Sequence, residues 1–329
     1  MAYKFLMTAP TLGAAGRQVL ADAGCEVDYL TEANNPAEVE QRMATHAYDA
    51  VISRTVTLSE QAIAACPSLK IICKHGVGVT NIDVAAASAR GIPVLTTPAT
   101  NAQSVAELTI GLMLSAARQL PFFQQEIAAG RWTRTSLGSE LQGKTLGLVG
   151  FGEIGRRVAG IAGAIGMSVR FFDPAVAPGT PTGGAHQCAS LDELLPLSHV
   201  LSLHCPVSDA TRQMLRADTL AQLPERAIVI NTSRGELIDE PALVQALQQG
   251  HLAGAGLDTF AQEPLPESHP FRQLSNIVMT PHIGGTTPEA LDAVARSAAQ
   301  QCLDFLQQRR INLRACVNPN ALKNEDMKQ

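Results

Sequence analysis

The chain has 329 residues, 46% hydrophobic and 17% charged, with a formal net charge of −5. That length suits two domains better than one core, and the acidic balance leaves no basic stripe of the kind a nucleic-acid surface requires. Seven scattered cysteines (Cys25, Cys66, Cys73, Cys188, Cys205, Cys302, Cys316) lack metal-pair spacing, and no apolar run is long enough for a leader or a membrane span. A cytoplasmic protein with reduced thiols is expected, with no metal, nucleic acid or membrane as partner.

The first hundred residues alternate β-rich runs at 4–7, 26–30, 50–53, 70–73 and 93–95 with helical patterns at 12–23, 36–45, 59–65 and 82–90. Such alternation predicts βαβ units on a parallel sheet. Arg54 ends the third run. Lys74-His75-Gly76-Val77-Gly78-Val79-Thr80-Asn81 follows the fourth, where successive N–H groups can form an anion-binding nest.

A helical pattern rich in Ala, Leu and Met then spans 102–129, followed by Arg131 and Arg134 around Trp132; Arg131 reads as solvated surface charge. Gly138 to Thr145 satisfies G-x-x-x-x-G-K-[ST], but a strand follows it where a phosphate loop needs a helix, so nucleotide hydrolysis is rejected.

The apolar run 145–149 leads directly into Gly150-Phe151-Gly152-Glu153-Ile154-Gly155 and a helical stretch at 156–165. This is a dinucleotide fingerprint in its required setting. The first glycine permits a tight turn, the second lets the backbone approach a pyrophosphate, and the third permits close helix–strand packing. The next strand, 168–172, ends in Asp173, 23 positions after Gly150. A carboxylate there accepts the ribose hydroxyls and repels a 2′-phosphate, which predicts NAD rather than NADP.

Apolar runs at 227–230, 253–257 and 277–279 are each followed by a charged residue: Arg234 in Asn-Thr-Ser-Arg-Gly, Glu263 before Pro264, and His282 before Ile283-Gly284-Gly285. In open α/β sheets ligands bind outside the carboxyl ends of the strands. Singly these residues have bland readings: a surface ion pair, a turn cap, a satisfied structural histidine. Together they are an arginine able to grip a carboxylate bidentately and an imidazole whose tautomer a carboxylate can hold. A last helix at 288–308 must bury an apolar face, and placing it on the first α/β unit would make that domain discontinuous. The segment 318–329 reads as frayed.

These features resemble the D-2-hydroxyacid dehydrogenase family over nearly the whole chain and in its order: the Gly76–Asn81 loop, Ser104-Val105-Ala106-Glu107, Gly150 to Gly155, Asp173, Arg234, Glu263 and His282. The nearest likeness is to its D-3-phosphoglycerate dehydrogenase branch. The resemblance implies an α/β protein of two doubly wound parallel-sheet domains. A Rossmann cofactor domain at 102–286 would be inserted in a flavodoxin-like substrate domain at 1–101 and 287–329. It implies a homodimer made through the cofactor domains.

It implies that His282 gives and takes the proton, Glu263 orients it, and Arg234 binds the substrate's carboxylate and carbonyl oxygen. Gly76 and Val77 would hold the carboxylate through their N–H groups, with Arg54, Lys74, Asn101 and Arg134 also on the substrate. Gly150, Gly152, Glu153, Ile154, Gly155, Asp173, Cys205, Pro206, Thr232, Ser233, Asp258, Gly284 and Gly285 would line NAD, with Val77 and His282 beside them.

Two departures bear on substrate. Lys74 stands where phosphoglycerate-specific members usually have Arg, and Thr80 where they have Asp. The serine-binding regulatory domain of longer members is expected to be absent, and with it feedback by serine.

The expected activity is NAD-dependent hydride transfer at C2 of a small 2-hydroxy or 2-keto acid, an oxidoreductase acting on CH–OH, with 3-phosphoglycerate/3-phosphohydroxypyruvate or another distally anionic acid preferred. Hydroxypyruvate or glyoxylate reduction is the alternative. A corepressor-like NAD sensor without turnover is the alternative of another class. Formate oxidation is disfavoured by Glu263, where formate-oxidising relatives usually place Gln.

Overall fold

The computed structural model describes residues 2–135, 138–177 and 179–322. In chain order its elements are β1 (Lys4–Met7), α1 (Ala14–Asp22), β2 (Glu26–Tyr29), α2 (Pro36–Thr45), β3 (Ala50–Ser53), α3 (Glu60–Ala65), β4 (Ile71–Lys74), α4 (Val84–Ala89) and β5 (Val94–Leu95). Next come α5 (Ala102–Arg118), α6 (Leu120–Ala128), β6 (Thr145–Val149), α7 (Glu153–Ala164), β7 (Ser168–Phe172), β8 (His186–Gln187), α8 (Leu191–Leu194) and β9 (Val200–Leu203). The chain ends with α9 (Ala217–Leu220), β10 (Ala227–Asn231), α10 (Glu240–Gln248), β11 (Leu252–Leu257), β12 (Ile277–Met279) and α11 (Pro288–Gln308). It divides into two compact units, one running to Asn101 and resuming at Thr286, the other spanning Ala102–Gly285. No helix among the described residues is long and apolar enough to cross a membrane.

The first unit holds a five-stranded parallel sheet in the order β2-β1-β3-β4-β5, the flavodoxin-like arrangement with its switch point between β1 and β3. β3 and β4 are buried along their whole length, as strands covered on both faces must be, so they read as continuous apolar runs rather than alternating ones. β4 extends one residue beyond the expected run, because Lys74 is itself buried and pairs in register with Ser53. Asn35, Ser59 and Asp83 cap α2, α3 and α4 with their side chains, satisfying donors that a helix start leaves open. α11 packs on α1, where a Cβ at Gly16 would stand 2.7 Å from the Ala295 carbonyl oxygen. Its residues Ala295, Ala298, Leu303 and Phe305 close the core around Phe5, Met7, Ile52 and Ile71.

The tail differs from expectation at its start. Asn318 is buried, with Oδ1 accepting from Val94 N at 2.8 Å and Nδ2 donating to the Ile92 carbonyl at 3.0 Å. Two such bonds to the β5 edge hold it. Residues 323–329 lie outside the described residues.

The second unit holds a seven-stranded parallel sheet in the order β12-β11-β10-β9-β6-β7-β8. Strand order runs outward in both directions from β6, placing the switch point between β6 and β9, as in a Rossmann domain. One core lies under α5 and α7 and includes Met113, Leu146, Phe151, Val158 and Phe171; the other lies under α8, α9 and α10.

The single helix expected over 102–129 is two helices. Gln119 takes a left-handed conformation (φ 54°, ψ 38°), and α6 starts at Leu120 with Pro121 in its first turn. Proline has no N–H to continue the ladder and its ring would strike the carbonyl four residues back, so the first helix stops.

Candidate active site

The carboxyl edge of the seven-stranded sheet gathers the glycine turn and all three charged residues. After β6, Gly150 takes φ 96°, and a Cβ there would lie 2.6 Å from the His204 carbonyl oxygen. A side chain is therefore excluded on both conformational and steric grounds. A Cβ at Gly155 would lie 2.4 Å from Gly150 O, which explains how closely α7 seats on the turn. At Gly152, the N-cap of α7, a Cβ would meet nothing within 4 Å. Closely packed neighbours thus flank one open glycine at a helix N-terminus, where N–H groups favour an anion.

Asp173, ending β7, closes this corner. Its Oδ2 accepts from Phe151 N at 2.8 Å and its Oδ1 from Ala175 N at 2.9 Å. An oriented carboxylate beside an open glycine and a helix start is the donor and acceptor set a dinucleotide requires.

After β10, Asn231 shapes the turn: its Oδ1 accepts from Ser233 N at 3.0 Å and its Nδ2 donates to Arg234 O at 2.8 Å. Ser233 Oγ reaches Cys205 O at 2.6 Å, joining this turn to the Cys205–Pro206 turn after β9. Thr232 Oγ1 meets Thr109 Oγ1 of α5 at 2.8 Å. The Arg234 guanidinium is half-buried and donates through Nη1 to Ser233 O at 2.6 Å.

After β11, Asp258 is 1% exposed and acts as a clamp. Its Oδ1 accepts from Thr280 Oγ1 at 2.6 Å and Ile283 N at 2.8 Å, and its Oδ2 from Gly284 N at 2.8 Å. These bonds hold the turn after β12 in which His282 has φ 55°, a conformation costly for a residue with a Cβ unless its surroundings impose it. Ser104 Oγ donates to Gly284 O at 2.6 Å, tying the same turn, on into Gly285, to α5.

His282 Nδ1 then lies 2.7 Å from Glu263 Oε2, while Glu263 Oε1 accepts from Phe260 N at 3.0 Å. Both side chains stay open to solvent, 48% and 36% exposed. The carboxylate accepts a hydrogen bond from Nδ1–H, which leaves Nε2 as the nitrogen for proton exchange. Arg234 joins this pair through the backbone: a Cβ on Gly235 would fall 1.9 Å from the Phe260 carbonyl carbon, so only glycine lets the two loops meet.

The switch-point edge of the five-stranded sheet carries the other candidates. Arg54 N donates to Thr8 Oγ1 at 2.9 Å, and its guanidinium has no partner among the described residues. Lys74 is 8% exposed and its ammonium is held by Arg54 O and Asn81 Oδ1. These bonds tie the ammonium to the Arg54 and Asn81 segments. Gly76 needs a correction. Its N–H donates to Thr97 Oγ1 at 3.0 Å and its carbonyl accepts from Thr97 N at 2.9 Å, so it has no N–H to offer a carboxylate. The N–H groups of Val77 and Gly78 have no partner among the described residues.

His75 in this loop is neutral: burial and the neighbouring Arg54 charge push its pKa down to about 4. Burial does the same to His204, whose Nε2 is 2.9 Å from Ser202 Oγ. Asn101 is half-buried at the end of its unit. Arg134 is exposed, and Arg131 pairs with Glu126 as the surface reading expects.

Asn231, Gly235 and Thr97 are the contributors that the sequence reading missed. Asn231 carried a signal, being an Asx-turn former directly after an apolar run. Gly235 and Thr97 carried none, because their partners are distant in sequence.

The family described as D-isomer specific 2-hydroxyacid dehydrogenase, NAD binding domain, matches residues 110–284. D-3-phosphoglycerate dehydrogenase of Synechocystis sp. is 41% identical over 261 residues, 79% of this chain and 47% of that protein. The chain spans about half the length of several curated relatives it matches. Among solved structures, TT0316 protein from Thermus thermophilus is similar with a TM-score of 0.86 and 35% identity, covering 95% of this chain and 99% of that one. A glyoxylate reductase from Paecilomyes thermophila has a TM-score of 0.85 and 31% identity, covering 97% and 99%.

Proposed function

The chain belongs to the D-isomer specific 2-hydroxyacid dehydrogenases, and from that membership we propose that it moves hydride between NAD(H) and C2 of a small D-2-hydroxy acid or its 2-keto acid. The observation that carries this is the His282–Glu263 pair at 2.7 Å, on the strand edge that also holds the open glycine turn. When bound, NAD supplies or takes up the hydride. Gly150, Gly152, Glu153, Ile154 and Gly155 would hold its pyrophosphate, Asp173 its adenosine ribose, and Cys205, Pro206, Thr232, Ser233, Asp258, Gly284 and Gly285 its other half.

In the reducing direction Nε2 of His282 gives a proton to the keto oxygen, while Glu263 keeps the proton on Nδ1 and balances the ring's charge. Arg234 presents its remaining N–H donors to the substrate carboxylate and to the oxygen on which negative charge develops. Val77 and Gly78 serve the carboxylate through the backbone. Asp173 excludes a 2′-phosphate by charge, which makes NAD the cofactor over NADP.

The preferred substrate in this proposal is 3-phosphoglycerate/3-phosphohydroxypyruvate or another distally anionic acid, supported by the unpartnered Arg54 and by relatives named D-3-phosphoglycerate dehydrogenase. Hydroxypyruvate or glyoxylate reduction is the second reading, favoured by the inward turn of Lys74. A homodimer through the cofactor domain is part of the proposal. α6 buries no residue of its own, and Leu114, Leu120 and Ile127 stand 40%, 52% and 55% exposed, an apolar face that a second copy would cover. Seven unpaired thiols support a reducing, cytoplasmic setting.

Oxidation of NADH and NADPH against a panel of 2-keto acids tests the activity. His282→Ala is expected to lower turnover by about 10²–10⁴-fold with NADH affinity unchanged. NADH binding without turnover on any acid would instead indicate an NAD sensor. Arg54→Ala separates the substrates: it should weaken a phosphorylated acid far more than hydroxypyruvate.

A further inference from the structure

A second carboxylate–imidazole pair lies behind the first. Glu240, the first residue of α10, sends Oε1 to Ala261 N at 2.9 Å and Oε2 to within 3.3 Å of His269 Nε2. The two side chains are only 14% and 17% exposed. His269 Nδ1 accepts from Phe271 N at 3.3 Å, so the neutral ring carries its proton on Nε2, towards Glu240. Its ring also packs 4.5 Å from the Phe271 ring. The histidine is thereby held from one side and aims Glu240 from the other.

What Glu240 grips is the loop that presents Glu263. Phe260 N is bound by Glu263 itself and Ala261 N by Glu240. Two adjacent backbone donors thus set the path on which Glu263 approaches His282. Glu240 also begins the helix that follows the Arg234 turn, through Gly235–Leu237 and the Asp239 cap. One carboxylate therefore joins the arginine loop to the glutamate loop.

We propose that Glu240, held by His269, is a positioning residue that sets the Glu263–His282 geometry for the reaction, a role that rests on the proposed dehydrogenase activity. It touches no reacting atom. Its bond fixes a loop whose displacement by about 1 Å would cost on the order of 10²-fold in the chemical step.

The test compares Glu240→Ala, Glu240→Gln and His269→Leu in the full chain, by kcat and KM for NADH and a 2-keto acid and by proton NMR. The His282 Nδ1 proton on a carboxylate resonates far downfield, and His282→Gln assigns it. Glu240→Ala should lower kcat by about tenfold or more with KM for NADH unchanged, and broaden or remove that resonance. Glu240→Gln keeps an acceptor for Ala261 N–H but turns its amide NH2 towards the His269 Nε2–H, so kcat and the resonance should recover part of the way from alanine. His269→Leu should shift both in the alanine direction, less far, and decides the matter should Glu240→Ala not fold. A wild-type kcat and an intact resonance in Glu240→Ala overturn the proposal, as does a glutamine variant no better than alanine. Absence of turnover in the parent protein would sink the dehydrogenase activity instead, while the resonance still decides the role of Glu240.

Discussion

Gly235→Ala introduces a single methyl group, and its consequence can be worked from distances. The added Cβ would fall 1.9 Å from Phe260 C, 2.2 Å from Ala261 N and 2.3 Å from Phe260 O, all backbone atoms that no rotamer change can move. Ordinary contact begins at 3.4 Å, so the Arg234 loop and the Glu263 loop must part by up to 3.4 − 1.9 = 1.5 Å. Overpacking of this kind costs about 1–3 kcal/mol, roughly 3–10 °C in Tm for a domain of this size. The catalytic penalty is larger in proportion, because a misplacement near 1 Å is worth on the order of 10²-fold, or about 2.7 kcal/mol, in kcat/KM.

NADH affinity, measured by fluorescence titration, should change less than kcat/KM, since Gly150–Gly155 and Asp173 follow β6 and β7, away from the clash. Gly160→Ala is the matched control. It sits in mid-helix with nothing within 4 Å of its Cβ position and should stabilise by up to about 1 kcal/mol with activity intact. A Gly235→Ala enzyme with the parent's kcat/KM and Tm would refute the loop-contact argument.

Thr97→Val removes the hydroxyl that accepts Gly76 N–H and donates to Gly76 O; KM for the keto acid should rise about tenfold while KM for NADH holds, and equal changes in both would count against it. Asp173→Asn removes the charge and keeps one of the two acceptors that bind Phe151 N and Ala175 N, so preference for NADH over NADPH should fall by at least about tenfold in steady-state kinetics. His75 and His204 have pKa values near 4, below the ordinary 6.5 of an unfolded histidine. The native state therefore binds fewer protons between those values, and stability is lost as pH falls from about 6.5 to 4. The slope is at most about 1.4 kcal/mol per pH unit for each ring. Urea unfolding across that range should be less steeply pH-dependent in His204→Gln, and an unchanged slope would rule its contribution out.

Much of the architecture was legible because it depends on local terms. Continuous apolar runs mark strands buried on both faces, such as β3 and β4, and parallel strands need a crossover connection, here a helix in most cases. The Gly150 turn and the charged residues after β10, β11 and β12 were likewise readable, since each sits within a few residues of the strand that carries it. The break at Gln119 also had a local cause in Pro121, but the apolar periodicity of 102–129 outweighed it in the reading.

Which groups remain available for chemistry is a different matter. That Lys74 turns inward, that Thr97 consumes the Gly76 N–H, and that Asp258 clamps the His282 turn each depend on segments 20 or more residues apart meeting within their own unit. The sequence by itself determined the parallel α/β architecture, the dinucleotide turn and the strand-end charges, because periodicity and turn chemistry are properties of adjacent residues. Only the tertiary structure decided which donors are free and how Arg234, Glu263 and His282 are held, because hydrogen-bond occupancy and close backbone approach arise where distant segments meet.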